Sequence, residues 1–197
     1  MEEIYNKIIY IRNIFKDKLD NSDKIILKDL DLTKKELDYI LFDINKDTSK
    51  KKINKFFLDN INKFDFSDVS FDGCDLRFVN FEGSSGVKIN PQTVYQKRFV
   101  YTNFCDVEFV SSFDGADIYH VNFTGSKGAL INPQTIKNKN LSFSKFQDVE
   151  FIGPFDDTII IGSDFTGAHN VKINPQTVYG CDFYSVCDTV KVKKIKK

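Results

Sequence analysis

Bulky apolar residues recur every five positions through the middle of the chain. The rhythm begins at Phe66, Phe71, Leu76 and Phe81 and resumes at Ile89. A helix needs apolar residues at i, i+3, i+4 and i+7, and a flat strand needs strict alternation, so this step fits neither. A second inward candidate lies two positions before most of the bulky residues: Val69, Cys74, Val79, Val87, Thr102, Val107, Ala116 and Val121. The pattern predicts the short sides of a square coil.

A longer period of 42 residues is superimposed on this rhythm. The sequence Ile-Asn-Pro-Gln-Thr begins at Ile89, Ile131 and Ile173. Between Phe81 and Phe123, one period holds six steps of five residues, one of eight and one of four. With four sides per coil, these eight steps make two coils. The period therefore predicts a stacked repeat in which each unit buries its apolar face against its neighbours.

The eight-residue steps predict a row of projecting loops on one side of the stack. They cover residues 82–88, 124–130 and 166–172, and each has a glycine near its start: Gly83, Gly125 and Gly167. Since glycine adopts positive φ at no steric cost, we expect each to occupy a turn of that kind. Each loop leads to a motif proline, at Pro91, Pro133 and Pro175. Proline has no N–H, so it must lie where the neighbouring coils need no donor.

The segment FDGCDLRFVNF, residues 71–81, resembles the pentapeptide-repeat family. Cys74-Asp75-Leu76 and Val79-Asn80-Phe81 have the family's order of a small residue, an Asp or Asn, and a large residue. The similarity covers about residues 64–188, with Phe in place of Leu at most central positions. The resemblance implies a mainly β fold, a right-handed quadrilateral β-helix, with the large residue and the small one before it filling the interior.

Residues 1–63 carry a helical pattern instead. An apolar stripe predicts an amphipathic helix over residues 3–18, from Ile4, Ile8, Ile11 and Phe15. Thr33 and Glu36 form a capping box for a second helix that ends near Ile44. A third helix is expected over residues 50–62, with its apolar side at Ile53, Phe56, Phe57 and Ile61. We expect this α-helical domain to cap the first coil, whose strand edges would otherwise be exposed, or to recognise a partner.

Charge divides the chain into three predicted parts. The whole chain of 197 residues is neutral, but residues 1–63 carry +2, residues 64–190 carry −7 and the lysine-rich tail, residues 191–197, carries +5. Phosphate contacts need a basic face, so the acidic repeat body disfavours nucleic-acid binding. Residues 189–195 alternate apolar residues with lysines and are expected either to cover the last coil or to pair with a second copy. A homodimer that forms through one end of the stacked repeat is therefore one of the two expectations.

The four cysteines show neither metal-site nor disulfide spacing: Cys74, Cys105, Cys181 and Cys187. Cys74 and Cys181 occupy the small inward position and are expected in the core. Reduced thiols fit the cytoplasm. The N-terminus lacks a leader pattern, and no apolar run reaches the length of a membrane span. We expect a cytoplasmic protein that makes no membrane contact.

The carboxylates follow the repeat. Asp75, Asp117 and Asp164 lie beside a large core residue, a position that Asn80, Asn103, Asn122 and Asp182 also occupy. The pair Asp106 and Glu108 recurs 42 residues later as Asp148 and Glu150. Two acids opposed across a sugar would make a glycosidase. Because these residues keep the period of the fold, we expect them to hold its register instead.

Histidine and glycine patterns point to no reaction centre. His120 and His169 occupy unrelated phases of the repeat, with no serine or cysteine at a suggestive spacing. No glycine loop of the phosphate-cradling kind precedes a helix. The sequence therefore predicts no catalytic residue, no metal and no cofactor.

Two functions are compatible with these features. The favoured one is a non-catalytic interaction or scaffold module, in which a rigid rod presents faces and loops to a protein partner. The alternative comes from the resemblance: some pentapeptide-repeat proteins mimic DNA and bind type II topoisomerases, and the acidic body favours this. The Asn-Pro-Gln-Thr corners place amides and a hydroxyl on one face and are a candidate site for a repetitive ligand. No individual binding residue is predicted.

Overall fold

The structure is a computed structural model and describes residues 6, 9, 10, 13, 25–27, 41–44, 51–53, 55–174 and 176–179. Its regular elements are short. The strands are β1 (Ile25–Ile26), β2 (Phe42–Ile44), β3 (Lys51–Ile53), β4 (Phe64–Asp65), β5 (Lys88–Ile89), β6 (Glu108–Phe109), β7 (Leu130–Ile131) and β8 (Glu150–Phe151). Among the described residues, Lys55–Asp59 form a helix, α1, and there are 3-10 segments at Ile61–Lys63, Tyr95–Lys97 and Lys137–Lys139.

The repeats lie against one another in parallel. Asn80 pairs with Asn103, which pairs with Asn122, and the column continues through Lys145 to Asp164. The spacing along this column alternates between 23 and 19 residues. Two successive coils therefore consume 42 residues, as the period requires. Strands stay short because the chain turns again after only a few residues, so most of the pairing consists of isolated bridges.

The eight-residue step lies where the chain changes from pairing with the preceding coil to pairing with the following one. Ser85 pairs with Asp65 in the preceding coil, whereas Lys88, three residues later, pairs with Glu108 in the following coil. The same shift recurs between Lys127 and Leu130. The additional residues are thus absorbed locally, and both neighbouring coils keep their hydrogen bonds.

Side chains at the five-residue positions fill the interior. The predicted set from Phe66 to Phe123, both bulky and small members, is buried, which confirms the inward assignment. One column is made of phenylalanines whose ring centroids lie 5.1 to 6.0 Å apart: Phe81, Phe104, Phe123, Phe146 and Phe165. Each buried phenylalanine contributes about 1.5–3 kcal/mol by leaving water. This continuous column ties successive coils together.

A turn of positive φ follows two residues after most bulky residues. We number the turns of a coil one to four, after the positions of Phe66, Phe71, Leu76 and Phe81. Gly83, Gly125 and Gly167, at the fourth turn, have φ of 76°, 72° and 74°. The prediction for these glycines is confirmed.

The N-terminal part is not purely helical. Residues 6, 9, 10 and 13 are helical, as expected. The predicted end of the second helix near Ile44 is wrong, because Phe42–Ile44 is a strand that pairs antiparallel with Lys51–Ile53. The helix predicted over residues 50–62 is reduced to α1 for the same reason. Phe42 lies opposite Ile53 and both are buried, so cross-strand packing overrides the helical pattern.

The N-terminal residues pack on the first coil. Ile25 pairs in parallel with Phe64, at the start of the repeats. The Phe57 ring lies 4.8 Å from that of Phe64, and Phe42 lies 6.2 Å from Phe71. The apolar interior thus continues from the coils into residues that precede them.

Several predictions lie outside the described residues: those for Thr33, Glu36, Pro175, Cys181, Asp182, Cys187 and residues 180–197. Within the described ranges, no helix combines the length and apolarity that crossing a bilayer requires.

Candidate functional site

The Asn-Pro-Gln-Thr motif uses its polar groups inside the fold. Asn90 Oδ1 accepts a bond from the Gln92 backbone N–H at 3.0 Å, and the Thr93 hydroxyl donates to the Asn90 carbonyl at 3.1 Å. The Gln92 amide reaches the next coil, where it donates to the carbonyls of Ser112 at 2.7 Å and Asp114 at 3.1 Å. Little is left over for a ligand.

The second copy repeats these bonds, and the third repeats those of the asparagine and the threonine. The Thr135 hydroxyl bonds Asp114 Oδ1 at 2.7 Å, and that of Thr177 bonds Asp156 Oδ1 at 2.6 Å. Thr93 and Asp72 form the equivalent bond in the first copy. The bond from Ser112, followed by that from Thr135, lowers the pKa of Asp114. These threonine–aspartate bonds staple coils together, which argues against the motif as the ligand site.

Three further carboxylates of the repeat are also used locally. Asp75 accepts bonds from the Arg77 guanidinium at 2.8 and 2.7 Å, a pairing that raises the pKa of Arg77. Asp164 accepts from the Thr166 N–H at 2.9 Å, and Asp117 lies 3.6 Å from Arg98. These contacts give each carboxylate a structural role.

Histidine and cysteine form no reaction centre among the described residues. His169 pairs with Glu150 and is exposed, far in sequence from His120. Cys74 is buried, as its inward position predicts. Across the described ranges, no three metal-ligating side chains are grouped to hold an ion.

The third turn carries an exposed row of aromatic rings. We define the aromatic stripe as Phe78, Tyr101, His120 and Phe143, one residue from each of four successive coils. Their side chains point to solvent: Phe78 is 71% exposed, Tyr101 44% and Phe143 46%. This is the largest run of exposed aromatic side chains in the described part of the chain.

The rings of the stripe contact one another along the stack. Phe78 and Tyr101 are parallel within 8°, with centroids 5.4 Å apart. Tyr101 lies 4.8 Å from His120, which lies 6.1 Å from Phe143. Tyr119, one residue before His120, packs its ring edge-on at 5.7 Å from Tyr101.

Backbone bonds fix these rings in line. The Phe78 N–H donates to the Val100 carbonyl at 3.2 Å, and the Tyr101 N–H donates to the Tyr119 carbonyl at 3.0 Å. The stripe ends where the Phe143 ring lies over Gly162, since a Cβ there would come within 2.8 Å of the ring. Burial raises the pKa of Tyr119, and the neighbouring Tyr101 adds to the rise, so this phenol stays neutral at neutral pH.

The backbone of the stripe does not favour aromatic residues. Its four members have φ between 56° and 63°. The left-handed region costs a residue with a side chain about 1–2 kcal/mol, and Gly, Asn and Asp tolerate it best. The second turn follows that preference with Gly73, Gly115, Asn138 and Asp157 and departs from it only at Gln96, and the fourth follows it with Gly83, Asp106, Gly125, Asp148 and Gly167. Four successive ring-bearing residues at a turn of this conformation therefore motivate a functional hypothesis for the stripe.

The sequence pattern does not reveal the stripe, because it assigns most aromatic residues to the interior. The pattern presents His120 only as a candidate catalytic residue and Phe78 only as a member of the repeat. The signal was nevertheless present. Once the chain is aligned on its bulky residues, the position two residues after Leu76 and its equivalents holds a ring in four successive coils.

The comparisons with known proteins give no relative. No protein-family model, no curated protein and no solved structure matches this chain.

Proposed function

We propose that this protein is a non-catalytic interaction module that docks on a protein partner through the aromatic stripe. In this proposal the repeats form a right-handed quadrilateral β-helix of the pentapeptide-repeat kind, and residues 1–63 cap its first coil. The observation that carries the proposal is the exposed row of rings at backbone positions that disfavour them. Contiguous exposed apolar side chains mark an interaction surface far better than scattered ones do.

The chemistry of the stripe favours a protein over a nucleic acid or a sugar. Bases and sugars stack on open ring faces, but here the faces of Phe78 and Tyr101 lie against each other. The repeat body is acidic, and phosphate binding needs a basic surface. Tyrosine and phenylalanine are the residues that protein interfaces concentrate in their cores.

The test replaces the rings without straining the backbone. In the variant Phe78→Asn/Tyr101→Asn/Phe143→Asn, asparagine suits positive φ, so the fold and melting temperature should be kept. The control Gln96→Asn/Asn138→Asp changes the second turn, at the same backbone conformation. Immobilised proteins are compared in a lysate of the native cell by mass spectrometry. Partners retained by wild type and control, and lost by the triple variant, are expected; identical retention by all three would refute the proposal.

Topoisomerase mimicry receives less support from the same residues. Duplex DNA carries one charge per about 1.7 Å of axis. At the fourth turn Asp106 and Asp148 are two coils apart, about 10 Å at the usual strand spacing. We propose a cytoplasmic location, because the spacing of the four cysteines indicates no disulfide framework.

A further inference from the structure

An acidic edge runs beside the aromatic stripe, at the fourth turn. We define it as Glu82, Asp106 and Asp148, all exposed. Among the described residues no lysine or arginine pairs with them, whereas Glu108 has Lys88 at 3.3 Å. Asp148 accepts only a backbone bond, from the Gly125 N–H at 3.1 Å. The edge therefore carries negative charge that no ion pair among the described residues neutralises.

The negative charge of this edge acts on the neighbouring side chain of Cys105. Burial raises the pKa of the Cys105 thiol and the charges of Glu82 and Asp106 raise it further, while the hydrogen bond with Asn103 and the charge of Lys145 lower it. Between edge and stripe lies one side of the coils, whose outward residues are the amides Asn80, Asn103 and Asn122, then Lys145 and Asp164. This side has an apolar margin and an acidic margin.

The spacing along both margins matches an α-helix laid parallel to the stack. Successive coils, and so successive rings of the stripe, lie about 4.8 Å apart. An α-helix rises about 1.5 Å per residue, so residues three to four apart on a helix have about the same spacing. Asp106 and Asp148, two coils or about 10 Å apart, match residues seven apart on the same helix. An amphipathic helix presents apolar residues at i, i+3, i+4 and i+7, so one helix satisfies both spacings.

We propose that the partner binds by an amphipathic, basic α-helix, whose apolar side lies on the aromatic stripe and whose lysines or arginines meet the acidic edge. The inference rests on the proposed function and adds the chemistry and shape of the partner. Anchors at i, i+3, i+4 and i+7 hold the helix, and the opposite charges fix its register and speed the encounter.

The test uses a synthetic helical peptide of about 20 residues, long enough to span the stripe, built from leucine and lysine. A leucine–glutamine peptide of the same pattern is compared, and binding is measured by fluorescence anisotropy at low and high salt. The variant Asp106→Asn/Asp148→Asn removes two charges of the edge. Its control, Asp68→Asn/Asp157→Asn, removes two aspartates of the same positive-φ conformation from other turns.

We expect the lysine peptide to bind wild type and the control alike, and to bind the edge variant about five-fold more weakly at low salt, with a flatter salt dependence. Equal weakening by both double variants, or equal binding of the glutamine peptide, would overturn the inference. Either result leaves the stripe-dependent capture of a partner untouched, so the two proposals fail separately. A wild-type dimer that Tyr101→Asn dissolves would also overturn it, since a second copy would then occupy the stripe.

Discussion

At the residue scale, one backbone conformation distinguishes the aromatic stripe from the ordinary turns. Gly115 turns the chain at φ 75° and Tyr101 at 58°. Glycine accepts this at no steric cost, but tyrosine does not. Contacts between neighbouring rings offset part of the strain, at about 0.5–1.5 kcal/mol per aromatic pair. The stripe is therefore held by its own stacking, and its members depend on one another.

Two glycines of the same conformation differ in the space around them, which yields a matched pair of substitutions. A Cβ at Gly128 would lie 2.4 Å from the Phe109 carbonyl oxygen, whereas at Gly115 the nearest atom would be the flexible Lys97 Nζ at 3.8 Å. Gly115→Ala should cost only the left-handed backbone, about 1 kcal/mol. Gly128→Ala should cost clearly more, about 2–3 kcal/mol, because coils must separate. Urea unfolding measures both; equal losses would show that the close contact is not maintained.

The threonine–aspartate staples predict a pH-dependent contribution to stability. Hydrogen bonds from Ser112 and Thr135 lower the pKa of Asp114 in the folded state. A depressed folded pKa stabilises above the unfolded value, near 4, and the gain is lost as pH falls through the folded value. Thr135→Val should therefore cost about 1 kcal/mol at pH 7 and less at pH 2.5. Urea unfolding at both pH values is the measurement, and a cost that grows in acid would contradict the staple.

At the element scale, the natural unit of this protein is the pair of coils. In each 42-residue pair, the first coil has the four-residue step and ends with the long step, and the second coil begins with the Asn-Pro-Gln-Thr motif. Gln92 and Gln134 bond forward to the next coil, whereas Thr93 and Thr135 bond back to the preceding one. A single coil would lack one set of these bonds. A pair carries both and repeats without a change of register.

Removing one whole pair should therefore leave a foldable chain. Deletion of residues 89–130 joins Lys88 to Ile131, which takes the structural position of Ile89. Phe143 then takes the position of Tyr101 and follows Phe78 in the stripe. We expect cooperative unfolding with an m-value reduced by about a fifth, in proportion to the surface removed. Deletion of residues 89–108 removes a single coil, together with the hydrogen bonds that Gln92 and Thr93 make to the neighbouring coils. It should unfold at much lower urea, and equal stability of the two deletions would refute the paired unit.

The elements differ in how far the sequence predicts them. The interior from Phe66 to Phe123 and the turn at Gly83 follow from a short period repeated in tandem, which averages out local exceptions. The pairing of Phe42 with Ile53 was not predictable, because a single antiparallel contact between distant residues leaves no period. The aromatic stripe escapes prediction from the sequence for a third reason. The five-residue period assigns Phe81 to the interior, but it gives no role to Phe78, which lies off that period at a turn.

At the scale of the whole molecule, charge and apolar surface are arranged on different lines of one stack. Residues 64–190 carry 9 basic and 16 acidic residues. Some of the acids accept hydrogen bonds from the motif threonines, some form ion pairs with lysine or arginine, and some form the acidic edge. Lys88, Arg98 and Lys139 neutralise several of them. The resulting field is directional and sparse. It can orient a basic partner, but its charge density is far below that of a nucleic acid.

This arrangement predicts the outcome of a mimicry assay. Micromolar wild-type protein should leave DNA supercoiling by a type II topoisomerase unchanged, since charges about 10 Å apart cannot replace phosphates spaced about 3.4 Å along each strand. The Asp106→Asn/Asp148→Asn variant serves as the control for the acidic edge. Inhibition by wild type that this variant relieves would mean that the edge imitates DNA after all. An inhibition that survives in the variant but disappears in Phe78→Asn/Tyr101→Asn/Phe143→Asn would instead make the topoisomerase a protein partner of the stripe, bound through apolar contact.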